Sequence, residues 1–396
     1  MREIGIHEAE TLRLVNENDL KFIRLTTCDI SGKTKNISIL PGMLQSTFLR
    51  GMTFDSSRID GFEQGGELLL FPETSGLSVL PWRPTDGRVA RIFCEVCRPD
   101  GTIFEGDPRA ILKRAVKAAA SAGLAFIMGT ENEFYLFRTD EKGNPTSEPL
   151  DYASYLDIAP EDKGENIRRE ICLNLEQMGV TPEKSFHEEG PGQNEIVFHG
   201  GDPLTAADHF MTYKMVVRTL AARNGLYASF DPKPIADQAG SGLRIRITLL
   251  SHGITSADLK DVAAFCQGVN QRLSEISLFL NSSSKSYQRL TSGSVQVGAR
   301  ITDVSEITLD HADLLLNPYL AFALLIYAGL EGIEQAQNGI LPENTSPILP
   351  SDYEEALEKG KNSEFVQKYL PAQSIKRYWE LRKKELTDTQ SSPYSK

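Results

Sequence analysis

The 396-residue chain is short of positive charge: 42 Lys and Arg stand against 54 Asp and Glu, a formal charge of −12. Without a cationic surplus to displace counterions from phosphates, no nucleic-acid partner is expected. Cysteine is scarce. Five residues (Cys28, Cys94, Cys97, Cys172 and Cys266) are scattered over the chain, an odd number that fits a reducing cytoplasm better than a disulfide framework. Cys94 and Cys97 form a lone C-x-x-C inside an apolar run. A zinc site wants a second pair and a redox motif wants to open a helix, so two buried thiols are expected. Long apolar runs are missing too. The most apolar stretch, Leu314 to Leu330, contains Asn317, Pro318 and Gly329 and is too short for a bilayer. The amino-terminal MREIGIHEAETLRL carries charges where an export signal needs an apolar core, so a cytoplasmic protein with no membrane partner is expected. Neither G-x-G-x-x-G nor G-x-x-x-x-G-K-[ST] occurs, and there is no internal repeat or low-complexity block.

What is present is an ordinary globular balance, 40% hydrophobic and 24% charged, over a length that suggests two or three domains. Residues 20–97 read as strand-rich. The runs Leu20 to Leu25 and Asn36 to Leu40 flank a turn signal at Asp29-Ile-Ser-Gly32, and Val89 to Cys97 closes the segment before Arg98-Pro-Asp-Gly101. A boundary near 98–107 would give domains 1–100 and 101–396. Helices are expected from Pro108, capped by Asp107 and ended by Gly123, and at 164–178, 204–223, 256–279, 317–336 and 372–387. Strand-like runs lie between them at 124–128, 133–137, 195–199, 226–230 and 242–250, with the polar tail after Thr387 expected to fray. The class is α+β.

The carboxylates gather in two places. In Gly129-Thr-Glu-Asn-Glu-Phe-Tyr-Leu-Phe137, Glu131 and Glu133 stand two apart at the head of a strand and so share a face. In His187-Glu-Glu-Gly-Pro-Gly-Gln-Asn-Glu195 a Gly/Pro loop separates Glu188 from Glu195. Like charges held together raise one another's pKa unless a cation or arginine neutralises them. An oxygen-rich, sulfur-free cluster suits Mg²⁺ or Mn²⁺, whereas the bland alternative is a row of solvated acids at a strand edge.

Both segments resemble the glutamine synthetase family, whose pattern reads G-x-E-x-E-F and H-E-x-x-P-G-Q-x-E. The resemblance continues in order through Phe54-Asp-Ser-Ser-Arg-Ile59, Ser229-Phe-Asp-Pro-Lys-Pro234 with Gly240-Ser-Gly242, Ser286-Tyr-Gln-Arg-Leu290 and Asn317-Pro-Tyr-Leu-Ala321. It implies a small amino-terminal β-grasp domain and a larger catalytic domain with a curved antiparallel sheet flanked by helices. It also implies ring-shaped homo-oligomers whose active sites are shared between subunits. The implied reaction is ATP-dependent: glutamate's side-chain carboxylate is phosphorylated, and ammonia or an amine displaces the phosphate, with two divalent cations stabilising charge. By motif match Glu133, Glu188 and Glu195 would hold the first cation and Glu131 would help hold the second. Asp55, from a neighbouring subunit, would help deprotonate ammonium, and Arg289 would contact substrate or phosphate. Gln193, Gly240 and Lys233 fall in substrate- or nucleotide-binding segments.

The chain departs from the family at the second cation. Arg244 and Arg246 stand where the family has histidines; in an ungapped alignment Thr308 falls where it has a carboxylate ligand and Asp310 where it has an arginine, while a small gap would bring Glu306 to the ligand position. Val295 replaces the flap glutamate, and the 296–305 segment is too short for the usual arginine-rich stretch. An arginine is always protonated and cannot ligate a metal, so Arg244 facing Glu131 would keep the local charge at zero with a fixed cation. Arg244 and Arg246 share one strand face, where they either brace the glutamates or bind an anionic group of a ligand. Two functions follow. One is an ATP-dependent carboxylate–amine ligase acting on a small amino acid or amine, with fewer cations than usual. The alternative is a non-catalytic ligand sensor or assembly partner, and a one-cation enzyme working without ATP is a third reading.

Overall fold

The computed structural model describes residues 3–63, 65–253, 255–292, 295–340 and 347–391. The chain divides into two compact units. The first holds Met1–Ile111 with Glu176–Gly179, and the second holds Leu112–Leu175 with Val180–Lys396.

The first unit is a β-grasp fold. Helix α1 (Ile6–Glu17) precedes strands β1 (Phe22–Cys28) and β2 (Thr34–Ile39), then helix α2 (Leu44–Arg50) and strands β3 (Met52–Asp55), β4 (Glu67–Pro72), β5 (Ser78–Val79) and β6 (Val89–Cys97). The sheet order is β2-β1-β6-β4-β3, with β5 also on β6. β1 and β6 are parallel, Ile23 opposite Ala90, and the other pairs are antiparallel. Central β6 is buried along almost all of its length, as a strand covered on both faces must be. The core gathers Ile23, Leu25, Phe48, Leu70 and Ile92. Cys94 and Cys97 are buried free thiols as expected, the Cys94 thiol being pushed up to about 12 by its burial. Helices α1 and α2 were not anticipated, because their apolar residues are too few to mark a helical face.

The second unit is built on one antiparallel nine-stranded sheet. In chain order come helix α3 (Pro108–Ser121), β7 (Leu124–Thr139), β8 (Pro145–Pro149), α4 (Glu165–Gln177), β9 (Pro182–His187), β10 (Gln193–Gly201), α5 (Pro203–Arg223), β11 (Leu226–Ser229), β12 (Leu243–Ser251), β13 (Thr255–Ser256), α6 (Leu259–Leu280), α7 (Ser284–Ser292), β14 (Ala299–Asp303), β15 (Glu306–Ala312), α8 (Pro318–Gln337), α9 (Tyr353–Asn362), α10 (Glu364–Tyr369) and α11 (Ala372–Ser391). The curved sheet runs β14-β15-β12-β7-β10-β9, with β8 and β11 on β7 and β13 on β12. Strand β12 shows the two-residue period plainly: Leu243, Ile245, Ile247 and Leu249 are fully buried while Arg244 and Arg246 emerge on the opposite face.

Three expectations need correction. The runs 124–128 and 133–137 are one 16-residue strand, because Gly129 and Thr130 pair with Arg246 and Ile245 instead of turning. The helix expected from 256 starts at Leu259, since Thr255 and Ser256 pair with β12. Helix α11 continues past Thr387 to Ser391, against the expected fraying, while residues 392–396 lie outside the described residues. The Asn317–Pro318 start of α8 holds, with the Asn317 side chain accepting from the Tyr319 amide. Helices α6 and α8 touch through Gly268 and Gly332. A Cβ on Gly268 would sit 2.3 Å from the Ala328 carbonyl oxygen.

Candidate active site

A cavity of about 870 Å³ opens over the face of the sheet that carries Glu131, Glu133, Glu195 and Arg244. The two-residue period places Glu131 and Glu133 side by side on β7. Glu195 on β10 lies directly opposite Glu133, and Arg244 on β12 directly opposite Glu131. Glu188 enters from the loop after β9, its backbone amide donating to the Gln193 carbonyl. The cavity thus brings together Glu131, Glu133, Glu188, Glu195, Gln193, Lys233, Gly240, Arg244 and Arg289.

Two electrostatic environments meet here. On one side burial outweighs the nearby cations, Arg289 and Arg244 at Glu133 and Lys184 at Glu188 and Glu195. Burial, reinforced by repulsion from Glu133 and Glu188, pushes the Glu195 carboxyl up to about 8. Glu133 is pushed up to about 7, burial outweighing its hydrogen bond from the Gly242 amide, and burial raises Glu188 as well. One Glu195 oxygen (Oε1) is buried with no hydrogen-bond partner among the described residues. Three carboxylates of raised pKa around an unpartnered oxygen suit an oxygen-seeking divalent cation. Among the described residues, the His/Asp/Glu group whose ligand atoms all fall within 4.8 Å of one another is a different one, Asp151, Asp162 and His187. Its capacity is already used. Asp162 pairs with Arg168 at 2.5 Å, and His187 bonds Asp151 through Nε2 at 2.9 Å and the Glu188 carbonyl through Nδ1 at 2.6 Å. That network fixes the start of the Glu188 loop.

On the other side every acid has a cation. Arg244 donates through Nη1 to Glu131 at 2.8 Å and through Nε to Asp310 at 2.6 Å. Asp310 also pairs with Arg300. Arg246 contacts Glu183 at 3.2 Å and lies 3.8 Å from Glu131, with Lys184 at the same distance from Glu131. Arg246 lies directly opposite Gly129 across β12 and β7.

The remaining sequence candidates fall as follows. Both Gln193 amide hydrogens are used inside the protein, toward Glu133 and the Gly240 carbonyl, each at 3.1 Å. Lys233 lines the cavity and donates to the Gln238 carbonyl at 2.6 Å. Arg289 is buried, donating to the carbonyls of His311 (2.6 Å) and Ala312 (2.9 Å), with Gly240 and Gly242 packed against its side chain. Arg246 is not among the cavity-lining residues. Asp55 belongs to the first unit, at the end of β3, where it accepts from the Ser57 amide. Sequence reasoning missed Arg300 and the bridging part played by Asp310. The available signal was the pair of departures that the family resemblance implies, at Arg244 and at Asp310.

The glutamine synthetase β-grasp domain family matches residues 19–99, and the glutamine synthetase catalytic domain family matches 105–301 and 306–395. The chain belongs to the glutamine synthetase family. Membership makes it an enzyme of the ligase class, in a family that acts on small molecules with ATP and divalent cations. The break in the catalytic-domain match, residues 302–305, covers the end of β14 and the turn into β15. The chain is similar to glutamine synthetase of Clostridium saccharobutylicum, 38% identical over 404 residues, covering 91% of this chain and 90% of that one. It is 37% identical over 403 residues to the glutamine synthetase of Methanosarcina mazei, with the same coverage. Among solved structures, ligand-free GmaS covers 97% of each chain at a TM-score of 0.85 and 23% identity. The Plasmodium falciparum glutamine synthetase covers 100% of this chain and 99% of its own at 0.85 and 18%. At these identities the two structures share its fold. Among the described residues no helix is long and apolar enough to cross a membrane.

Proposed function

We propose that this protein is an ATP-dependent ligase joining the side-chain carboxylate of glutamate to ammonia or an amine, with a fixed guanidinium in place of the family's second cation. The observation that carries this reading is the Glu133/Glu188/Glu195 cluster on the cavity, where one Glu195 oxygen is buried without a partner among the described residues; the bridge from Arg244 to Glu131 and Asp310 supplies the fixed charge. Arg244 hydrogen-bonds both carboxylates and Arg300 supplies the second positive charge at Asp310, so two fixed cations offset two acids without the exchange of ligands that a metal allows. Glu133, Glu188 and Glu195 would hold one Mg²⁺ or Mn²⁺, which when bound supplies charge neutralisation for phosphoryl transfer. Arg289, anchored by two backbone carbonyls, orients an anionic oxygen of substrate or phosphate. Asp55 of a neighbouring subunit in a ring-shaped oligomer accepts the ammonium proton. Lys233, Gln193 and Gly240 shape the substrate and nucleotide walls.

The second reading, a non-catalytic ligand sensor or assembly partner in the cytoplasm, is favoured by the same salt-bridge network, because it fills the second-cation position with protein. ADP release decides between them. Purified protein with Mg²⁺ or Mn²⁺, ATP, glutamate and ammonia, then a panel of amines, is expected to release ADP above blank with at least one pair. Release with none would leave the sensor reading standing.

A further inference from the structure

Tyr135 is fully buried on β7, directly opposite Gln193 on β10. These cross-strand neighbours grip two consecutive carbonyls of the loop that leads into β12. The Tyr135 hydroxyl donates to the Ala239 carbonyl at 2.5 Å, and the Gln193 amide to the Gly240 carbonyl at 3.1 Å. The same loop is fixed at its far end by the Gly242 amide, which donates to Glu133 at 2.9 Å. Residues 236–240 and Gly242 form part of the cavity wall.

Gln193 is tied in the other direction as well. Its Oε1 accepts from the Gly190 amide at 2.8 Å, which fastens the loop carrying Glu188. Gly190 is there by necessity, because a Cβ at that position would fall 1.9 Å from the Tyr135 hydroxyl oxygen. The phenol therefore passes beneath the Glu188 loop to reach the 236–242 loop. A phenylalanine at 135 would keep the packing and leave the Ala239 carbonyl without its donor.

We infer that Tyr135 is a positioning residue, whose hydroxyl holds the 236–242 wall in register with the Glu133/Glu188/Glu195 cluster through the shared partner Gln193. It touches no substrate in this scheme. It acts through the loop backbone, so its loss loosens ligand binding more than it changes the chemical step. The kinetic part of this inference rests on the proposed ligase activity, and the structural part does not.

The test uses Tyr135→Phe in the full-length protein. Hydrogen exchange of the amides in 236–242 is expected to accelerate roughly fivefold, the factor that one net hydrogen bond is worth, with β7 and β10 exchanging as in the parent. With the best substrate pair, KM is expected to rise several-fold while kcat stays within about twofold. Unchanged exchange in 236–242 overturns the inference, as does acceleration spread evenly through the sheet, which marks a merely structural role. Failure of Tyr135→Phe to fold overturns it too, since a local hook does not decide the whole fold. A parent protein with no ligase activity sinks the proposed function instead, and the exchange comparison then decides this inference alone.

Discussion

The guanidinium of Arg244 lies 2.8 Å from the carboxylate of Glu131, its directly paired neighbour across β7 and β12. This contact changes the expected cation stoichiometry. Calorimetric titration of the protein with Mn²⁺ should find one tight site per subunit, held by the three cavity glutamates. Arg244→His should create a second, weaker site, because a neutral imidazole beside Glu131 and Asp310 forms a mixed nitrogen and oxygen ligand set. Arg244 is nearly half exposed, so the stability cost of the change should be about 1 kcal/mol or less. Two tight sites in the parent protein would contradict the fixed-cation reading.

The raised pKa values predict an unusual stability profile. Glu133 at about 7 and Glu195 at about 8 in the folded state bind protons that they release on unfolding, where glutamate titrates near 4.5. An acid whose folded pKa is raised stabilises the fold relative to high pH only while protonated. Its contribution is full below the unfolded value and is lost as pH rises through the folded value. The melting temperature of cation-free protein should therefore fall between pH 5 and pH 8.5, measured by differential scanning fluorimetry. Saturating Mn²⁺ should flatten that slope, since a bound cation replaces the protons. A melting temperature that climbs over this window without cation would show that the glutamates are ionised and satisfied in the fold.

Sharing of the active site between subunits can be tested by mixing. Asp55 is fully exposed at the end of β3, which suits a residue that acts outside its own subunit. Asp55→Asn and Glu195→Gln proteins should each be nearly inactive. Dissociated and reassembled together at equal amounts, they should regain about a quarter of the parent activity, because each site draws one group from each neighbour. Absence of any recovery in confirmed mixed oligomers would place both groups in one chain's site.

The glutamates could be read from the sequence because a two-residue period and a Gly/Pro loop are local features, and pairing of β7 with β10 then follows from burial. The arginine side was less legible. Arg244 was visible as a change of residue type, but its contact with Asp310 depends on a register shift between Leu243 and Ile245 in the β12–β15 pairing. Strict alternation does not foresee such a shift. The length of β7 was also not legible. Residues 129–132 fall between two expected runs, whereas Gly129 is an extended residue paired with Arg246 inside one strand. The β-grasp and sheet-plus-helix architecture was legible chiefly through the ordered family motifs, while helices such as α1 and α2 left no clear periodic trace.

The support beneath the sheet gives the last prediction. Helix α8 is buried along most of its length and packs on α6, and the approach is set by Gly268 facing Gly332. A methyl group on Gly268 would lie 2.7 Å from the Gly332 Cα and backbone nitrogen and 2.3 Å from the Ala328 carbonyl oxygen. Neither neighbour is a flexible side chain, so the helices must separate. Gly268→Ala gains a little helix propensity but should lose about 3 kcal/mol through overpacking. Urea unfolding monitored by circular dichroism should show the midpoint fall, while the Mn²⁺ stoichiometry of the remaining folded protein stays at one. A midpoint equal to the parent's would mean that the two helices can part without disturbing the core, contrary to the close approach at Gly268 and Gly332.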